Sequence, residues 1–254
     1  TSLSSDGIYT VTFNRPDVLN AVNDEMRHEF RALGEQIWLD DAIRAVIFTG
    51  AGRAFSAGAD MAYLEREWST PAFRAHTRIL TSFFDDLETV EKPIIAAING
   101  PSAGAGFQLA LSCDIRFAAQ SAQFGLRETN IGLVPAVGAC SRLARIIGYG
   151  RTKELIFSAD MISAEEAHRI GLVYKVVPDG ELMSAATEFA QRLLTRAPQA
   201  IGLGKRILRE CLSADLTTGR GIESLALSML TQTDDLKEGV RAFREKRKPN
   251  FKGK

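Results

Sequence analysis

At 254 residues, 45% hydrophobic and 24% charged, the chain is long enough to bury a sizeable core without disulfides or metals. Lys+Arg and Asp+Glu number 31 each, so no net charge draws it toward nucleic acid or an anionic membrane. Cys113, Cys140 and Cys211 lie far apart without a CxxC, and His28, His76 and His168 share no ligand spacing, which excludes a disulfide framework and argues against a metal site. No run of about 18 apolar residues is present. The opening TSLSSDGIYTVTF lacks the charged-then-apolar layout of a signal peptide. The expectation is a soluble, cytoplasmic protein with no nucleic-acid and no membrane partner.

In chain order, Ile8 to Phe13 reads as a strand that ends in a turn at Asn14-Arg15-Pro16. From Asn23, the residues Met26, Phe30, Leu33 and Ile37 fall at helical spacing, and Asp24 and Glu25 suit the positive end of the helix dipole. Ala45 to Thr49 is a fully apolar strand candidate. Thr70 and Pro71 predict an N-cap and first helical residue, with Phe73, Leu80, Phe84 and Leu87 forming the stripe of that helix. Pro93 to Ile98 and Ile115 to Ala118 read as further buried strands. After about residue 138 the pattern is almost entirely helical. Ser163 and Glu166 match a capping box at the start of one of these helices, and the exception is a strand over Val173 to Val177.

Strands alternating with helices predict an α/β class with both sheet faces covered. The chain divides into an α/β core over 1–190 and a helical region over 191–254.

Two glycine-bearing loops follow buried strands: TGAGRAFSAGAD at 49–60 and NGPSAGAGF at 99–107. Neither is a nucleotide loop. Phe55 and Leu109 stand where GxGxxG needs its third glycine, and no Gly-Lys-Ser/Thr closes either one. Gly104, Ala105 and Gly106 open the apolar helical run FQLAL. Backbone N–H groups near Ala105 would therefore be unpaired and able to hold a developing oxyanion, with a second donor from the loop at 56–60. The plainer alternative is that these glycines only permit tight strand-to-helix turns.

The segments AFSAGAD (54–60), KPIIAAINGPSAGAGFQLALSCDIRFA (92–118) and QFGLRETNIGLVPAVGACSRLARIIG (123–148) resemble the enoyl-CoA hydratase/isomerase family, the crotonases. NRPDVLNA (14–21), SAEEAHRIGLVYKVV (163–177) and FREKRKPNF (243–251) extend the likeness over nearly the whole chain in order. The resemblance implies a crotonase-like spiral of ββα units with a C-terminal helical trimerisation region, assembled as a homotrimer or homohexamer. It implies an acyl-CoA thioester substrate, coenzyme A being part of that substrate, with no metal and no redox cofactor. Carried over, the oxyanion donors are the N–H groups of Ala59 and Ala105. Ala57, Asp60 and Gly104 border the coenzyme A site, and Asp60 shapes the loop rather than reacting.

Hydratases of this family use two glutamates. The first matches Gln108 here and the second Glu128, 20 residues on, so one carboxylate is kept and the other is an amide. Glutamine cannot release or accept a proton near neutral pH, although it hydrogen-bonds a water or a substrate oxygen. An isomerase needs only one carboxylate, and monofunctional Δ3,Δ2-enoyl-CoA isomerases resemble this pattern. The expectation is therefore double-bond isomerisation by Glu128. A hydratase with Gln108 holding the water, and a catalytically weak thioester-binding subunit, are the alternatives. Dienoyl-CoA isomerases and some ring-opening isomerases place an aspartate where this chain has Ala136.

His76 lies on a helix that the resemblance places near the acyl pocket, although a packing role is the plainer reading. Cys113 and Cys140 read as small buried packing residues. From Arg241 to Lys254 there are seven Lys/Arg against one Asp/Glu. The resemblance makes Lys246 and Arg247 candidates for the coenzyme A phosphates, here or on a neighbouring subunit. A solvated tail is the equal alternative, and RNA binding a weaker one.

Overall fold

In the computed structural model, which describes residues 1–254, the chain opens with β1 (Ser2–Leu3) antiparallel to β2 (Ile8–Phe13). Asn23 caps α1 (Asp24–Leu39), its side chain accepting from Met26 N at 3.0 Å. β3 (Ala45–Gly50) leads through the first glycine-bearing loop into the single turn α2 (Met61–Leu64) and then α3 (Thr70–Thr89). β4 (Ile94–Ile98), β5 (Ser102–Ala103), α4 (Gly104–Ser112), β6 (Ile115–Ala119) and β7 (Gln123–Gly125) follow. A 3-10 turn at Glu128–Ile131 precedes α5 (Ala139–Ile147), α6 (Tyr149–Ser158), β8 (Ile162–Ser163), α7 (Ala164–Arg169) and β9 (Lys175–Val177). The chain closes with α8 (Leu182–Leu194), α9 (Pro198–Cys211), α10 (Leu216–Leu230) and α11 (Asp234–Arg244).

The main sheet runs β1-β2-β3-β4-β6-β9, parallel from β2 onward. Period-2 alternation divides its side chains between two cores. Val46, Phe48, Ile94 and Ala96 face the cluster filled by α1, α3 and α4, where Phe30 stacks on Phe83 at 4.9 Å. Ala45, Ile47, Ile95 and Ala97 face the opposite cluster, covered by Leu182, Ala186 and Ala190 of α8. Burial on both faces explains why these strands are continuously apolar. Since α8 runs to Leu194, the helix that covers this second face continues past residue 190.

Several local expectations shift. Ser69, not Thr70, is the N-cap of α3, accepting from Ala72 N at 3.3 Å, and Pro71 is the second helical residue. Ser163 caps α7, yet the Glu166 carboxylate turns to Arg169 instead of back to the cap, so the box is half formed. The strand expected over 173–177 is confined to Lys175–Val177. A second, three-stranded sheet, β5-β7-β8, has no counterpart in the sequence reading, because strands of two or three residues carry no readable period.

Lys205 of α9 fastens the helical region to the core. Its Nζ donates to Leu87 O at 2.6 Å, Lys92 O at 3.1 Å and Asp114 Oδ2 at 2.8 Å. Beyond that anchor Leu208, Leu212, Leu216, Leu225 and Phe243 are exposed on a single chain.

Candidate active site

The site stands at the C-terminal ends of β3 and β4, where the two glycine-bearing loops meet. Asn20 lies beneath them, fully buried and in the left-handed region at φ +57°. Its amide nitrogen donates to Ala51 O at 2.9 Å and Ala54 O at 2.8 Å, while its oxygen accepts from Arg15 N at 2.9 Å. Asn20 thus satisfies the buried carbonyls of the first loop. Sequence reasoning quoted this residue only inside NRPDVLNA and gave it no role.

Val22 pairs with the far end of the same loop, donating to Gly58 O at 2.7 Å and accepting from Asp60 N at 3.0 Å. Those two bonds turn the Ala59 N–H away from Val22, and it makes no hydrogen bond within the chain. Asp60 accepts from Arg15 at 3.1 Å and caps α2 through Ala62 N at 3.2 Å, so its carboxylate is committed to loop shape. Ala57 is exposed at the rim, its N–H bonded to Leu19 O.

The second loop packs directly against the first. A carbon placed on Gly106 would sit 2.5 Å from Ser56 Cβ and 2.6 Å from Ser56 O, so only glycine allows this approach. A carbon on Gly58 would sit 3.3 Å from Ala105 N, so the backbone next to Ala59 lies against the start of α4. Ala103, the cap residue of α4, supplies no side-chain hydrogen bond, leaving the first-turn amides of this helix open.

Glu128 and Gln108 meet above that helix start. Gln108 Nε2 donates to Glu128 Oε1 at 2.7 Å. A carbon on Gly104 would lie 3.6 Å from Glu128 Oε1 and 3.6 Å from Gly58 Cα. Glu128 Oε2 is enclosed and has no partner. Burial pushes the Glu128 carboxyl above the ordinary carboxylate range, while its own backbone and the Gln108 amide pull it partly back. The cluster therefore joins a carboxyl whose pKa burial raises, a non-ionising amide that orients it, and two open backbone donors. Such a set can move a proton on and off carbon while holding negative charge on a neighbouring oxygen.

Other expected residues lie elsewhere. Arg247 is held by Glu238 at 2.6 Å and Glu245 at 2.6 Å, and these contacts hold the Glu238 carboxyl far below the usual range. Lys246 is exposed. The tail beyond them docks through Gly253 O on Gln199, beside Asp41, Lys92 and Pro93, at the opposite ends of β3 and β4 from the glycine-bearing loops. Within one chain the tail and the loops are not brought together. Cys113 is buried and its thiol is pushed up to about 12 by burial. Cys140 corrects expectation: it is exposed, its Sγ donating to Pro135 O at 3.3 Å, because it follows an irregular turn at the start of α5. His76 packs against Trp68 and Tyr63, with ring centroids 4.9 and 5.8 Å away. It shares that cluster with Arg27, which sequence reasoning missed because a single arginine on a polar helix face carries no pattern.

Residues 4–254 match the sequence profile of the family described as enoyl-CoA hydratase/isomerase. The short-chain-enoyl-CoA hydratase of Clostridium acetobutylicum is 42% identical, over 95% of this chain and 92% of that one. The 1,2-epoxyphenylacetyl-CoA isomerase of Escherichia coli is 36% identical, over 98% and 96%. A crystal structure of enoyl-CoA hydratase from Bacillus anthracis superposes with a TM-score of 0.93 at 37% identity, covering 98% of this chain and 96% of that one. The chain belongs to the enoyl-CoA hydratase/isomerase family, the crotonases, whose members act on acyl-CoA thioesters.

Proposed function

We propose that this protein isomerises a 3-enoyl-CoA to the conjugated 2-enoyl-CoA with Glu128 as its single proton carrier. The reading rests on one observation: the only ionisable group of the Gln108–Glu128 pair is Glu128, and its Oε2 is unpartnered. Oε2 takes a proton from C2, and the freed electron pair moves onto the thioester oxygen as a dienolate. The Ala59 and Ala105 N–H groups hold that oxygen, each donor worth about 2.7–4 kcal/mol by the measured precedent for such donors. The same carboxyl then returns its proton to C4, leaving the double bond between C2 and C3. No water is consumed, so a second acid–base group has no task. Gln108 fixes Oε1 and leaves Oε2 to face carbon. Ala136 offers no carboxylate that would support the dienoyl or ring-opening branches.

Hydration is the second reading, favoured by the names of relatives such as the hydratase of Clostridium acetobutylicum. In it Gln108 holds the water and Glu128 alone transfers protons. Ultraviolet absorbance of the conjugated enoyl-thioester separates the two. A rise with 3-enoyl-CoA supports isomerisation. A fall with 2-enoyl-CoA, and no rise with the 3-enoyl compound, refutes it.

The exposed Leu208, Leu216 and Phe243 support assembly through the helical region as a trimer or paired trimers. Lys246 would then serve the coenzyme A phosphates of a neighbouring copy rather than its own.

A further inference from the structure

Six buried side-chain polar atoms lack a hydrogen-bond partner, and four of them, Asp24 Oδ1, Arg27 Nε, Tyr63 OH and His76 Nδ1, share one cluster of side chains. Buried polar atoms are normally paired, so four orphans together point to a bonding group from outside the chain. The charges say which kind. Arg27 is 3% exposed, and its guanidinium makes neither a hydrogen bond nor an ion pair; the Tyr63 ring lies 3.9 Å from Cζ. The buried Arg142, by contrast, is fully engaged by Asp85, Glu88 and Val137 O. Arg66 lies over the other cluster rings, 5.6 Å from the Tyr63 centroid and 5.9 Å from that of Trp68, and takes Asp24 as its partner. Two guanidiniums therefore share one carboxylate, Asp24, and a buried cation that its neighbours only half balance is costly.

The cluster borders the candidate active site. Arg27 sits in the first turns of α1, just beyond Val22, which clamps Gly58 and Asp60 around Ala59. Tyr63 lies on α2, the single turn that Asp60 caps directly after Ala59. We propose that Arg27, with Tyr63 and His76, forms an anion subsite for a carboxylate carried at the far end of the acyl group, so that the preferred substrates are dicarboxylic acyl-CoA thioesters. This rests on the acyl-CoA reading of the site but not on the direction of double-bond movement.

The test is calorimetric binding of adipoyl-CoA and hexanoyl-CoA, which have chains of equal length and need no turnover. Adipoyl-CoA is expected to bind at least tenfold more tightly, as one charge-assisted hydrogen bond allows. Arg27→Met is expected to abolish that preference, leave hexanoyl-CoA binding within twofold, and leave the melting temperature unchanged or higher, since it removes an unpaired buried charge. Tyr63→Phe is expected to narrow the preference in part. Equal binding of the two thioesters overturns the proposal alone, as does an Arg27→Met loss that is the same for both. A loss that vanishes when adipoyl-pantetheine replaces adipoyl-CoA assigns Arg27 to a coenzyme A phosphate and also overturns it. Failure of hexanoyl-CoA and adipoyl-CoA alike to bind overturns the acyl-CoA reading as well.

Discussion

Gln108 Nε2 donates to Glu128 Oε1 at 2.7 Å, so the amide orients the one carboxylate of the pair. One carboxylate oxygen is fixed and the other is unpartnered. Restoring a carboxylate in Gln108→Glu sets two acids within a hydrogen bond of each other, and such a pair shares one proton. The variant is expected to gain measurable hydration of 2-enoyl-CoA and to lose most isomerase activity at low pH. Absorbance of the enoyl-thioester with both substrates checks this.

The same contact sets a pH dependence. Glu128 must be ionised to take a proton, and burial raises its pKa, so the isomerisation rate falls as pH drops through that raised value. The Gln108 hydrogen bond favours the charged form. Gln108→Leu is therefore expected to move the acidic limb of the rate profile to higher pH, with less than about a tenfold change on the plateau. An unmoved limb would mean the 2.7 Å contact does not govern the titration.

Stability should run the other way. With a folded pKa above its unfolded value, Glu128 contributes its share of stability below the ordinary carboxylate pKa of about 4.3 and loses it as pH rises through the folded value. Glu128→Gln is expected to melt at a higher temperature than the parent at pH 7, the gap closing by pH 4. Paired thermal scans at the two pH values check the sign.

Much of this was legible in the sequence. Ala45–Gly50 and Ile94–Ile98 show as strands because burial on both faces makes them almost continuously apolar, and Ile8–Phe13 shows by its run of apolar and β-branched residues. The pair at 108 and 128 emerges because a family motif fixes its spacing. Other features are invisible for a physical reason: they depend on contacts between distant segments. Asn20 reaches across to Ala51 and Ala54, Lys205 joins α9 to the end of α3, and Arg27 meets Tyr63, and Tyr63 meets His76, only after α1, α2 and α3 converge. Cys140 misleads because a small thiol reads as a core residue, whereas the turn before it, with Val137 at φ +53° and Gly138 at φ +84°, carries it to the surface.

That turn carries a stability prediction. Arg142, 7% exposed, bonds Glu88 through Nε at 2.9 Å and Nη2 at 2.9 Å, Asp85 at 2.6 Å and Val137 O at 2.6 Å. Arg142→Gln leaves two carboxylates and a strained carbonyl without their donor. The expected loss is about 2–3 kcal/mol, discounted from the fully buried case because Asp85 and Glu88 stay partly in water. Urea unfolding checks it through the midpoint at constant slope.

The backbone donors can be tested without changing any reacting side chain. Ala105 is in the first turn of α4, where proline is tolerated. Ala105→Pro removes one N–H while keeping the helix start, and is expected to lower kcat by about 10²–10³-fold with substrate binding retained. Unchanged kcat would remove Ala105 from the oxyanion site.

The most direct measurement compares the parent and Glu128→Gln on 3-enoyl-CoA, following the conjugated thioester by its absorbance, with coenzyme A thioester binding measured alongside. Isomerisation is expected to drop by at least about 10²–10⁴-fold while binding is kept, because glutamine preserves shape and removes only the proton carrier. Glu128→Gln turning over at the parental rate would contradict the single-carboxylate mechanism.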